Sequence, residues 1–165
     1  MSIVGLIVSV VIGVSAYEFH SAHMSDSNVD SIRAAIAKTD LTVRYELACR
    51  IEPCSLRADF NGDRRPDLAV LIREKVSGKI GIGILHSGSS KAHIVGAGRP
   101  CGNGGDNFDW MDVWSVYSRK RLEAGAESGR PPVLRGAAIL AERSESASAI
   151  IYWTGRRYAW YQQGD

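Results

Sequence analysis

The chain has 165 residues, 45% hydrophobic and 23% charged, which is the composition of a globular protein with room for one domain. A formal net charge of +2 excludes a strong field steering it to nucleic acid or to an acidic membrane surface. Arginine outnumbers lysine fifteen to five, but the densest basic run, Arg119-Lys120-Arg121, is too short for a nucleic-acid patch and reads as a solvated loop.

The first sixteen residues, MSIVGLIVSVVIGVSA, carry no charged side chain. The apolar stretch Ile3–Val14 falls short of the roughly 20 residues a membrane span needs. Val14-Ser15-Ala16 has the small-residue pattern of a signal cleavage site. Residues 1–16 are therefore expected to be a signal peptide, cut before Tyr17, or a membrane-tethering leader where uncut. The protein is expected to be exported, periplasmic or secreted. A buried first strand or helix is the alternative. The polar stretch 17–29, with His20 and His23, reads as a flexible tether, and residues 30–165 as a single β-rich domain.

Asp30 or Ser31 can cap a short helix through about Lys38, with Ile32, Ala35 and Ile36 on one face. Leu41 to Arg50 alternates apolar and polar, as a half-buried strand does. Export permits a disulfide among Cys49, Cys54 and Cys101. Cys49 with Cys54 is the first choice, since Pro53 favours a turn between them; Cys101 with either is the alternative. A zinc site is the weaker assignment, because His86 and His93 lack finger-like spacing with these cysteines.

Leu68 to Arg73 is a strand candidate covered on both faces, and KVSG at 75–78 is a turn. In KIGIGILHS, Ile80, Ile82 and Ile84 share one face while Gly81 and Gly83 leave the other open to a closely packed neighbour. The two strands form a hairpin. Ala92 to Val95 is a further short strand. The Gly- and Asp-rich loop 96–109 follows, and Trp110 to Tyr117 resumes an apolar pattern. After an irregular stretch at 123–132, Val133 to Leu140 is a strand candidate. Ala147 to Trp153, a turn at Gly155-Arg156 and Tyr158 to Gln162 form a closing hairpin. The predicted fold is mainly β (α+β): an antiparallel sheet domain with a short N-terminal helix.

The tail is dense in rings: Tyr152, Trp153, Tyr158, Trp160 and Tyr161. Cross-strand packing accounts for most of them. The alternative is an exposed platform for a protein or carbohydrate partner, for which Trp153, Trp160 and Tyr161 are the candidates.

The most specific stretch is RADFNGDRRPDLAVLI, residues 57–72. Asp59, Asn61 and Asp63 place oxygen-bearing side chains at alternate positions, Arg65 can lend its backbone carbonyl, and Asp67 closes the set. Calcium takes six to eight oxygen ligands in a flexible shell, which this spacing suits. A plain Asx turn, with no ion, is the competing account. DFNGDRRPDLAV resembles the calcium loop of FG-GAP and VCBS-type repeats. The resemblance implies calcium ligation by Asp59, Asn61, Asp63, Asp67 and the Arg65 carbonyl, within β-structure serving extracellular adhesion or partner binding. Two features depart from that pattern. The sixth loop position, normally glycine for a left-handed turn, is Arg64. The motif occurs once, so a full propeller is excluded. Single-loop chains of this kind are similar to small exported bacterial proteins, some of them inhibitors or immunity partners of cell-wall enzymes.

No catalytic motif is present: Ser87 and Ser89 beside His86 lack supporting context, and GAGRPCGNGG lacks the lysine and helix of a phosphate loop. Glu142 and Glu145 are a carboxylate pair whose spacing carries no geometry. Asp106, Asp109 and Asp112 form a second acidic cluster, read as a solvated loop. The leading expectation is an exported non-enzymatic binding protein. The alternatives are a small exported hydrolase acting on carbohydrate or cell wall, and a structural envelope protein.

Overall fold

The protein is described here by a computed structural model, which covers residues 26–118, 122, 124, 125 and 130–164. The leader, most of the tether and the Arg119–Arg121 run lie outside these residues. Among the described residues no helix is long and apolar enough to cross a membrane.

The fold is mainly β, built from two antiparallel sheets with a helix on one outer face and no closed barrel or propeller. Helix α1 spans Asp26–Ile36, starting four residues before the earliest expected cap. Ser31 does not cap it; its hydroxyl donates to the Asn28 carbonyl inside the helix. Ile32 and Ile36, one turn apart, are buried against the sheet. The expected strand at Leu41–Arg50 is replaced by a single turn, α2 (Leu41–Arg44), and a three-residue strand, β1 (Tyr45–Leu47). The alternation is not used as a strand face, because Leu41 is buried while Val43 points to solvent.

The first sheet contains β1, β2 (Ser55–Ala58), β3 (Asp67–Glu74), β4 (Ile80–Leu85) and β5 (Ala92–Gly96). Strands β1 and β2 both pair with β3, at opposite ends, and β4 and β5 follow on its other edge. The predicted β3–β4 hairpin is present, with Arg73 opposite Ile80 and Leu68 opposite Leu85. β3 is covered on both faces: Leu68, Val70 and Ile72 join the helix-side core, while Ala69 and Leu71 enter the core between the sheets. Gly83 is open because Leu41 sits against it; an added Cβ would lie 2.5 Å from the Leu41 side chain.

The second sheet is a meander of β6 (Val113–Tyr117), β7 (Ala138–Arg143), β8 (Ala147–Trp153) and β9 (Tyr158–Gly164). β7 begins five residues later than expected, because Arg135 and Gly136 are held against the aspartate loop and the Ala137 amide donates to the Asp59 carbonyl at 2.7 Å. The central core lies between the sheets, around Phe60, Leu71, Ile82, Ile84, Phe108, Met111, Trp114, Ile139 and Ile151. Burying one such side chain stabilises by about 1.5–3 kcal/mol, so this core orders both sheets.

Candidate functional site

The aspartate loop links β2 to β3 and touches both sheets. Asp59 gathers three backbone amides: Gly62 at 2.6 Å and Asp63 at 3.1 Å on Oδ1, and Arg64 at 2.7 Å on Oδ2. Asn61 Oδ1 accepts from the Asp63 amide at 2.8 Å, and its amide nitrogen donates to Asp63 Oδ2 at 3.1 Å. Asp63 Oδ1 accepts from the Arg65 amide at 2.8 Å. The Asn61 hydrogen bond, then the Arg65 amide, hold the exposed Asp63 carboxyl below its ordinary value. Arg64 adopts φ +67°, the left-handed conformation this position demands in a calcium loop.

Asp67 holds a different set of amides. It is 1% exposed, the one buried charged side chain among the described residues. Oδ2 accepts from the amides of Phe60 (3.0 Å) and Asn61 (3.2 Å), and Oδ1 from that of Ser87 (2.8 Å). The carboxylate thus clips the loop to β3 and to the end of β4. The oxygen chemistry of Asp59, Asn61, Asp63 and the Arg65 carbonyl fits a hard cation. Asp67 is the fourth side-chain oxygen donor of the expected set, and no three His, Cys, Asp or Glu side chains among the described residues converge as an ion-holding group. Arg65 reaches over the β4–β5 turn, its guanidinium beside Gly88.

Beside this loop lies a ring cluster that the sequence does not announce. The His86 and His93 rings are 4.5 Å apart, and Trp153 meets both edge-on at 4.8 Å. His86 Nε2 and the Tyr158 hydroxyl are 2.8 Å apart. Trp153 and Tyr158 face each other across β8 and β9, with ring centroids 5.0 Å apart. Burial, then the neighbouring His86 and Lys91, lower the His93 pKa against the opposing pull of Asp40. Burial, reinforced by Asp67 and Asp59, raises that of Tyr158. The sequence signal is the seven-residue spacing of two histidines on either side of a turn, which only strand pairing converts into contact.

A third feature gathers at the far end of the second sheet. Trp110 and Trp160 meet edge to face at 5.8 Å, with Phe108 behind both at 5.7 and 6.0 Å. The Gly-rich loop wraps Trp160 closely; a Cβ on Gly102 or Gly104 would overlap the indole. Trp110 Nε1 donates to the Gly104 carbonyl at 3.2 Å, and Trp160 Nε1 to Gln162 Oε1 at 2.9 Å. Both indoles are half-buried and line an open cleft of about 340 Å³ with Asn103, Arg143 and Ser146. Of the three rings expected at a partner surface, Trp160 lines this cleft and Trp153 belongs to the histidine cluster. Tyr161 is buried, its hydroxyl accepting from the Gly125 amide. Trp110 carries no such signal in the sequence, since its partner across the cleft comes from 50 residues later.

The remaining candidates separate. Cys49 and Cys54 form a disulfide with Cα atoms 4.7 Å apart, and Cys101 is free and buried, its thiol pushed up to about 11 by desolvation. Asp106 pairs with Lys79, Asp112 accepts from the Ser144 amide at 2.8 Å, and Asp109 is exposed, so these three do not form one site. Glu142 and Glu145 line a common open cavity of about 400 Å³ around the β7–β8 turn. No protein-family model matches the chain, and neither curated proteins nor solved structures provide a match.

Proposed function

We propose that the chain is an exported, non-catalytic binding protein that recognises a protein or carbohydrate partner through the tryptophan end of its second sheet. The observation that carries this is the Trp110–Trp160 pair, packed closely by the Gly-rich loop and half open to a cleft. Indoles fixed in place lose little side-chain entropy on binding, which suits them to recognition. An inhibitor or immunity partner of a cell-wall enzyme is the sharpest form of this proposal. A pull-down from envelope extracts with the full chain, against the Trp110→Ala variant, tests it. Capture of a partner that the variant loses supports recognition. Equal capture by both would place recognition away from Trp110, and capture by neither favours a structural envelope role.

The aspartate loop is proposed to take one calcium ion through Asp59, Asn61, Asp63 and the Arg65 carbonyl, in support of the fold. The left-handed φ of Arg64 supports this, because a side chain is kept where the turn favours glycine. Asp67 would brace the loop from beneath. The ion would neutralise Asp59 and Asp63 and tie their turn together. Saturation at about 100 times the dissociation constant stabilises by about 2.7 kcal/mol. Thermal unfolding in calcium and in chelator, with calorimetric titration, tests the assignment; absence of both a shift and a heat at millimolar calcium leaves a self-satisfied Asx loop.

The second proposal is a small hydrolase acting on carbohydrate. Its support is that Glu142 and Glu145 share one cavity beside the tryptophan cleft, with Arg143 and Ser146 bordering both. Reducing-end release from cell-wall polysaccharide, lost in Glu142→Gln, would establish it in place of the binding role.

A further inference from the structure

We infer that the cleft between the Gly-rich loop and the β7–β8 turn is a saccharide subsite selective for a sugar ring bearing a carboxylate. The inference rests on the binding-protein proposal and names the ligand class of that same surface. Three observations converge on it. The first is shape: a volume of about 340 Å³ lies at the lower end of the range for small-ligand sites, enough for one ring and part of its neighbours. The second is the aromatic wall. Trp110 and Trp160 stand at 78° to one another, so a ring entering the corner meets two indole surfaces at once. A pyranose presents polarised C–H bonds on its faces, and these are attracted to the negative face of an indole, as the positive edge of an aromatic ring is.

The third is the polar lining. Gln162 is used internally, accepting from Trp160 Nε1 and donating to the Ser148 carbonyl, and so orients the indole. Asn103, Arg143 and Ser146 are exposed, and their side chains make no hydrogen bond or ion pair among the described residues. An amide, a hydroxyl and a guanidinium suit a ligand with several hydroxyls and one planar anion. Arg143 offers the fork that grips a carboxylate in two-point fashion. Glu142 and Glu145 line the adjoining cavity, not this one, so the cleft itself has a cationic lining.

The test uses the full chain and two trimers, an α-1,4-linked oligogalacturonate and a neutral hexose trimer of the same length, with triglutamate as the acidic peptide. Binding is read from the indole Nε1–H resonances, assigned with Trp110→Phe, Trp153→Phe and Trp160→Phe variants. The oligogalacturonate is expected to shift the Trp110 and Trp160 resonances and leave Trp153 in place. The neutral trimer should bind about 5-fold more weakly, the scale of one exposed charge pair. Arg143→Gln, an exposed change, should bring the affinity ratio of the two trimers down to about one. No shift at Trp110 or Trp160 up to about 10 mM, well above a 1 mM-class affinity, would overturn the subsite. So would a preference that survives Arg143→Gln, or stronger binding of triglutamate than of the oligogalacturonate. A partner captured from extract while every saccharide fails would sink this inference and leave the binding role standing.

Discussion

His86 Nε2 and the Tyr158 hydroxyl share a hydrogen bond of 2.8 Å between residues 72 apart in sequence, one following β4 of the first sheet and the other opening β9 of the second. The contact joins the sheets at the edge where the aspartate loop also docks on both. Tyr158→Phe keeps the ring against Trp153 and removes only the hydroxyl. One half-buried hydrogen bond contributes about 0.5–1.5 kcal/mol, so the denaturant midpoint should fall accordingly with the slope unchanged. A loss near 3 kcal/mol would mean that the change strands the His86 nitrogen without water to replace the hydroxyl.

His93 gives a pH dependence with a definite sign. Its folded pKa lies below the ordinary value of 6.5, first by burial, then by His86 and Lys91, with Asp40 opposing. His86, Trp153 and Tyr158 surround its ring. The unfolded chain therefore binds the proton more readily. Its stability contribution is complete above about pH 6.5 and declines as pH falls through that value, levelling off below the folded pKa. Asp63 and Glu74, both held below their ordinary values, lose their contributions only in the carboxylate range, so the window from pH 7.5 to 5 isolates the histidine. The melting temperature should drop across it, and His93→Gln should flatten the drop. A profile unchanged by that substitution would assign the effect elsewhere.

Asp63 and Asp67 should separate cleanly in chelator. Asp67 is buried and takes three backbone N–H groups, and Asp67→Ala strands them at about 1–3 kcal/mol each. A loss of at least 3 kcal/mol, or failure to fold, is expected. Asp63 is exposed, and without calcium Asp63→Ala should cost much less than Asp67→Ala. In calcium the order of interest reverses, because Asp63→Ala should abolish any ion-dependent shift. Equal costs for the two in chelator would contradict the division between brace and ligand.

The fold is largely legible in the sequence where periodicity and turn residues agree. The β3–β4 hairpin and the β8–β9 hairpin follow from apolar runs broken by Gly78 and Gly155, and the glycine face of β4 announces the close approach of Leu41. β2 is not legible: four residues between a disulfide loop and the aspartate loop carry no pattern, and only pairing with β3 makes them a strand. At the site, the alternating acidic loop is visible, but the inward turn of Asp67 depends on the Ser87 amide, 20 residues away. The histidine cluster and the Trp110–Trp160 cleft are products of sheet packing, which local sequence does not encode.

Arg64 decides what kind of strain the loop carries. At φ +67° its Cβ crowds the backbone, at about 1–2 kcal/mol for a residue other than glycine. If the left-handed turn formed only around an ion, glycine at this position would tighten binding. The turn is held by bonds of the protein itself, from the amides of Gly62, Asp63 and Arg64 to the Asp59 carboxylate. The strain is therefore a cost of folding and not of binding. Arg64→Gly should raise stability in chelator by about 0.5–1 kcal/mol, the relieved strain less the added backbone entropy of glycine. Calcium affinity should stay in the range of about 10⁻⁴–10⁻³ M, improving only by the few-fold that follows from removing one exposed positive charge. Arg64→Asn separates the two contributions, since asparagine loses the charge and tolerates the left-handed region. It should match glycine in affinity and recover part of its stability. A tenfold or greater gain in affinity for glycine over asparagine would show that the turn closes on the ion.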